Sequence, residues 1–308
     1  MKTVLIFGGS GFVAKHIIRQ LAKNGYKIVV LYQQPTNEAK LKFLGSLGQI
    51  IPIQYKSIDS ELINKLIKDA NNIINLKTSW DEKISSFEMS IFKFNQKLAD
   101  KIINTNEKCQ LIYFSGLGVD KGPLSKRSQA ILKSEEYFQN NLINCSIIRP
   151  GIIIGGEDKF LKGLLPLFKI SPFIPLFGNG LSKFQPVSIE DVTKASEKII
   201  LKNLKGVNVF EFVGNDIFTY KEFYSLISNY FNKKRYFIKV PLSLVKLVVY
   251  FMDKTPFSPI KSEQLKLFEK DNVASNQHKN LKNLGINPQD LKEKIKKNSL
   301  KKPLKINK

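Results

Sequence analysis

The residues best suited to chemistry lie in the opening stretch Thr3–Lys27, TVLIFGGSGFVAKHIIRQLAKNGYK. An apolar run, Val4 to Phe7, ends on Gly8, Gly9, Ser10 and Gly11, and Phe12 and Val13 follow. Gly8 and Gly11 can take backbone angles closed to other residues, and their missing side chains let a diphosphate approach the main chain. A helix beginning at Phe12 would turn free N–H groups and a positive dipole end toward the phosphates. Ala14 is a third small residue, placed where the helix must pack closely on the strand.

The elements needed to position such a turn are written around it. Phe12, Val13, Ile17, Ile18 and Leu21 recur at helical spacing, Gly25 stops the pattern, and an apolar strand spans Ile28–Tyr32. Further strands are predicted at Ile50–Tyr55, Asn72–Leu76, Gln110–Ser115 and Cys145–Arg149. Helical patterns near Glu38–Leu47, Glu61–Asp69, Ile84–Asn106 and Ser125–Asn141 separate them. The apolar runs are short and unalternating, as in strands covered on both faces. The prediction is an α/β chain: a Rossmann-type, doubly wound parallel sheet over residues 1–150. After Pro150, prolines 166, 172, 175 and 186 break the pattern. Strand and helix signals return at Val207–Val213, Tyr220–Phe231 and Leu242–Met252. Residues 151–285 are therefore expected to form a smaller C-terminal lobe, and residues 286–308 a basic, partly disordered tail.

Composition narrows the classes. The net charge is +23, from 45 lysines and only four arginines against 26 acids. Lysine, asparagine and isoleucine are abundant throughout, as an AT-rich genome would produce. The tail from Lys292 to Lys308 holds eight lysines and one acid, Glu293, and could meet anionic lipid or an acidic partner. Nucleic acid is not expected as a partner, because the lysines are scattered, arginine is scarce and no nucleic-acid motif occurs. Two cysteines, Cys109 and Cys145, sit just before predicted strands and read as buried free thiols, with no metal set. The first strand begins after two residues, so no targeting segment is expected. His16 reads as a surface or boundary residue, His278 as exposed, and Trp80 either as lining a cleft or as serving in an interface or in packing.

Several stretches then define a resemblance. Asn75-Leu76 is followed by Trp80-Asp81-Glu82-Lys83, and Arg149-Pro150 leads into Gly155-Gly156-Glu157-Asp158-Lys159-Phe160-Leu161. Pro172-Phe173-Ile174-Pro175-Leu176, Gln185-Pro186-Val187, Asp191-Val192, Pro241-Leu242 and Thr255-Pro256-Phe257-Ser258-Pro259 come after. This ordered set resembles the short-chain dehydrogenase/reductases. Within them it is most similar to the dehydrogenase-like, nucleotide-binding accessory subunit of respiratory complex I and its bacterial relatives. The resemblance implies NADP(H) or NAD(H) as cofactor. It places Gly8, Ser10, Gly11, Phe12, Val13, Gln33, Asn75, Leu76, Ser115, Lys133, Arg149 and Pro150 along it.

The superfamily's chemistry needs a tyrosine acid with a lysine four residues later, and a serine to orient a carbonyl. Lys133 fits the lysine, but Gln129 stands at the tyrosine position and Leu117 at the serine position. An amide has no proton to give near neutral pH. Tyr32-Gln33-Gln34, at the end of the second strand, supplies neither the acid that would bind a ribose 2′-hydroxyl nor an arginine for a 2′-phosphate. Lys56 stands where the resemblance implies an aspartate near adenine, with Asp59 three residues on.

Three functions remain open at this point. One is a nucleotide-binding, non-catalytic accessory or assembly partner of a membrane respiratory complex. The second is a working NAD(P)-dependent reductase, epimerase or dehydratase with a relocated acid. The third is a peripheral membrane factor of quinone metabolism. The expected location is cytoplasmic, at the inner face of the cytoplasmic membrane if docked.

Overall fold

The computed structural model describes residues 2–121, 125–253 and 261–296. The Thr255–Pro259 stretch, Lys254 and the lysines beyond Lys296 lie outside the described residues. Six strands form as the apolar runs predict: β1 (Thr3–Phe7), β2 (Lys27–Tyr32), β3 (Ile50–Gln54), β4 (Asn72–Asn75), β5 (Gln110–Phe114) and β6 (Asn144–Pro150). Two more strands, Gly206–Phe212 and Lys279–Asn280, extend the sheet beyond β6, so the second half of the chain completes it. The order runs Lys279–Asn280, Gly206–Phe212, β6, β5, β4, β1, β2, β3, and every pairing is parallel. The direction of winding reverses between β1 and β4, and it is outside such a switch point that ligands of open α/β sheets bind.

Helices cover both faces of the sheet and build the second lobe. They are α1 (Phe12–Lys23), α2 (Glu38–Lys42), α3 (Glu61–Lys68), α4 (Phe94–Asn106), α5 (Lys126–Asn141), α6 (Lys159–Ile170), α7 (Ile189–Lys202), α8 (Tyr220–Tyr230) and α9 (Leu242–Met252). One core joins α1 and α7 to one face of the sheet through Ile17, Leu21, Val192 and Ile199. A second joins α3 and α4 to the other through Ile63, Ile67, Leu98 and Ile102. The long pattern expected from Ile84 resolves into a π-helical turn, Glu88–Lys93, that opens into α4. The strands' central residues are buried on both sides, which explains runs without alternation.

The smaller lobe packs around Phe184, whose ring stacks on Tyr220 at 4.6 Å and meets Phe223 edge-on at 5.2 Å. The Gln185-Pro186 segment passes so close to the end of β6 that a Cβ on Gly151 would lie 2.1 Å from the Gln185 carbonyl oxygen. The supposed tail is corrected in part. Leu291–Lys296 forms a helix whose Leu291 and Ile295, one turn apart, are buried in the lobe's core. An apolar pair at that spacing anchors the segment despite its lysines.

Two glycines should respond oppositely to alanine. Gly151→Ala forces backbone against backbone and should cost about 1–3 kcal/mol in chemical denaturation. Gly163, exposed within α6 and with nothing within 4 Å of a new Cβ, should gain about 0.5–1 kcal/mol as Gly163→Ala.

Candidate functional site

The glycine turn sits at the switch point, and each glycine there has its own reason. Gly8 has φ +76° and lies against the chain leaving β4, where a Cβ would come within 2.8 Å of the Lys77 nitrogen. Gly9 leaves no room for a Cβ beside Val30 Cγ1, 2.1 Å away. Gly11 differs. It is the N-cap of α1 in extended conformation with no side-chain cap, and a Cβ there would meet only the Gly8 carbonyl oxygen at 3.7 Å. The protein itself therefore does not require glycine at 11. The space a side chain would take lies over the helix N-terminus, where an anion would sit.

Ser10 is exposed, Phe12 and Val13 are half-buried, and Phe12 reaches the second lobe, with its Cζ 2.9 Å from where a Cβ on Gly155 would stand. Phe12 also meets His16 edge-on at 5.1 Å. His16 is half-buried, as a boundary residue would be: its Nε2 is enclosed without a hydrogen-bond partner among the described residues, and burial holds its pKa below the ordinary histidine value despite Glu190 and Glu157.

On the β2–β3 side, Gln33 and Lys56 are exposed and linked, Gln33 Nε2 donating to the Lys56 carbonyl at 3.4 Å. Asp59 pairs with Lys97 of α4 at 2.6 Å. At the switch point, Asn75 is fully buried, donating to Asn95 at 2.6 Å and accepting from the Lys77 amide at 3.0 Å. Leu76 continues the ladder by donating to the Phe7 carbonyl. Lys77, not singled out by the sequence, is largely buried. Its ammonium donates to the Ser90 carbonyl in the π-helical turn at 2.8 Å, over the Phe94 ring at 4.3 Å. Burial lowers its pKa to about 8.

On the β5–β6 side the expected lining residues are engaged internally. Ser115 donates to Glu135. Arg149 donates to both Glu135 carboxylate oxygens, at 3.1 and 2.6 Å, and to Asp120 at 2.6 Å. His278 joins this cluster, its Nε2 lying 3.1 Å from Arg149, and so is partly buried rather than exposed. Leu117 is buried, and its amide donates to the Pro150 carbonyl at 3.1 Å.

The face of α5 is the main correction. Gln129 and Lys133 are exposed on its outer side, where the Lys133 ammonium lies 3.3 Å from Glu88 of the π-helical turn. Arg127, two positions before Gln129 and roughly 200° around the helix, is turned toward the loop after β4, and Ile131, four residues on from it, is buried in a small core with Phe87, Ile91 and Val119. Arg127 Nε donates to the Ser79 carbonyl at 2.7 Å and its Nη2 to Thr78 Oγ1 at 2.9 Å. The guanidinium lies 3.8 Å from the centre of the Trp80 ring. Burial lowers the Arg127 pKa to about 10, so it stays charged at neutral pH. The spacing of four survives the shift, but neither side chain can serve as a phenol acid or an ammonium. Cys109 and Cys145 are buried free thiols, as expected, with burial pushing both up in pKa.

The profile of the NmrA-like family matches residues 1–293. The chain belongs to that family. Among similar proteins is the Arabidopsis thaliana NADH dehydrogenase (ubiquinone) 1 alpha subcomplex subunit 9, mitochondrial. It is 28% identical over 93% of this chain and 74% of that protein. The Dictyostelium discoideum protein of the same description is 31% identical over 72% and 62%. The Neurospora crassa NADH-ubiquinone oxidoreductase 40 kDa subunit is 24% identical over 94% and 76%. These bear out the likeness to complex I subunits. The fold of this NmrA-like chain is that of sugar-nucleotide epimerases and dehydratases. UDP-glucose 4-epimerase from Thermotoga maritima superposes with TM-score 0.67 at 16% identity, covering 96% of both chains. A dTDP-glucose 4,6-dehydratase from Bacillus anthracis gives 0.66 at 17%, covering 87% of this chain and 97% of that one.

Gly11→Val should leave the fold intact, because the position is open, yet abolish nucleotide binding. Titration calorimetry with NADH and NADPH checks this, and equal affinity in variant and parent would show that the turn holds no phosphate.

Proposed function

We propose that this NmrA-like protein binds NADP(H) or NAD(H) at the Gly8–Val13 turn, performs no hydride transfer, and serves as an accessory or assembly partner of a membrane respiratory complex. The observation that carries the non-catalytic part is the inward face of α5. It bears Arg127 and Ile131 where an acid and a cation are needed. The relatives' descriptions as subunits of NADH-ubiquinone oxidoreductase support the partner. Purified chain given NADH or NADPH and common carbonyl or sugar-nucleotide substrates should show no turnover above the uncatalysed rate. Robust turnover that is lost in Lys133→Ala would mean that the outer face of α5 does chemistry after all.

Docking is supported by α9, which carries two apolar stripes. Val245 and Val249 are buried in the lobe. Leu244, Leu247, Val248 and Phe251, at spacings of three and four, remain 49–60% exposed on the other side. Among the described residues no helix is long and apolar enough to cross a membrane, so α9 could engage a partner or a surface only from the side. A Leu247→Glu/Phe251→Glu variant should fold normally, since both side chains are exposed, but lose co-fractionation with membranes. Parent protein that stays in the soluble fraction of gently lysed cells, with no co-purifying complex, would count against docking.

A further inference from the structure

A dinucleotide whose diphosphate lies over Gly8–Phe12 sends one half over β2 and β3 and the other past the switch point, over β4 and β5. The two halves of this crevice are built differently. On the β2–β3 side Gln33 and Lys56 are exposed. On the β4–β5 side Arg127 spans from α5 to the loop after β4, through its two hydrogen bonds to Ser79 and Thr78 and its stack on Trp80. The next residue of that loop, Asp81, lies 3.4 Å from Lys261 of the second lobe. The loop is thus tied on both sides. The other side chains at this end are spoken for: Ser115 by Glu135, while Leu117 and Ile131 are buried and apolar.

We infer that the crevice takes the ADP-ribose part of a nucleotide and gives no hold to the nicotinamide ring, because the Trp80–Arg127 bridge closes the end where that ring would lie. The inference rests on the nucleotide-binding reading above and states which part of the ligand is read. A guanidinium stacked on indole and hydrogen-bonded to a carbonyl and a hydroxyl is a fixed wall rather than a passing contact. The ring then contributes no affinity, so a nucleotide lacking it should bind as well as the complete one.

The test titrates nucleotide-free full-length protein with NADH against ADP-ribose, and with NADPH against 2′-phospho-ADP-ribose. Pairing the probes separates the ring from any preference for the 2′-phosphate. Within whichever pair binds, the dissociation constants should agree within about threefold. A complete dinucleotide that binds about tenfold or more tightly than its ring-less partner overturns this inference and leaves nucleotide binding standing. No binding by any of the four overturns both. Trp80 is the sole tryptophan, so acrylamide quenching of its emission reads the bridge directly. Quenching should be weak in the parent, unchanged by saturating ADP-ribose, and severalfold stronger in Arg127→Ala. Quenching in the parent equal to that of free tryptophan would overturn the bridge. The affinity ratio and that comparison both use the unmodified chain, so neither depends on the variant folding.

Discussion

The buried ion pair between Arg149 and Glu135 sets the rotational phase of α5. The two side chains are 5% and 0% exposed and meet in a fork, with Asp120 and His278 on the arginine's remaining donors. Removing one partner of such a pair leaves a buried charge uncompensated, at a cost of about 3–5 kcal/mol, so the helix cannot rotate Glu135 away from β6. Residues four and eight positions before Glu135 lie on the same side of the helix. They are Ile131 and Arg127. The pair therefore puts these two on the inner side of the helix and Gln129 and Lys133 on its exposed side. What α5 presents to the loop after β4 is thus fixed by an electrostatic contact about two turns further along the same helix.

The orientation of α5 is also what the sequence made least legible. The parallel sheet was legible because its strands are uniform apolar runs between helical patterns. The glycine turn was legible because backbone conformation requires glycine at Gly8 and steric room requires it at Gly9. The phase of α5 was not. The helix is rich in polar residues on every side, its buried stripe includes Ser134 and Glu135, and a glutamate is normally taken as solvent-facing. Only the fold brings Arg149 opposite it. The Ser125 cap, which accepts a hydrogen bond from the Ser128 amide, was the one local signal of where the helix begins.

The second half shows the same division. Its aromatic cluster and the buried stripe of α9 follow from apolar spacing. Helix α6 begins at a legible cap, Asp158, bonded to the Leu161 amide at 2.6 Å, but it runs through Pro166, which reads as a breaker. The strands Gly206–Phe212 and Lys279–Asn280 join the main sheet, so a boundary drawn at Pro150 divides the sequence but not the sheet. Parallel pairing between distant segments leaves no local mark: Gly206–Phe212 carries apolar residues, but its partner Lys279–Asn280 is two exposed polar ones.

The crevice is made of two kinds of material. The phosphate end is main chain: glycines, a helix terminus and the close passage of Leu76 and Lys77 over Gly8. Such a site tolerates change in the surrounding side chains, because its donors are peptide groups present in any sequence that keeps the turn. The reaction end of an enzyme on this fold is made of side chains that must combine identity, spacing and helix phase. In this chain Arg127 and Ile131 share one side of α5 at a spacing of four, and the arginine is anchored to the loop after β4. A binding end written in backbone and a reactive end written in side chains can change independently without disturbing the sheet that carries both. The α1 packing that holds the turn depends on Ile17, Ile18 and Leu21, none of which touches α5 chemistry.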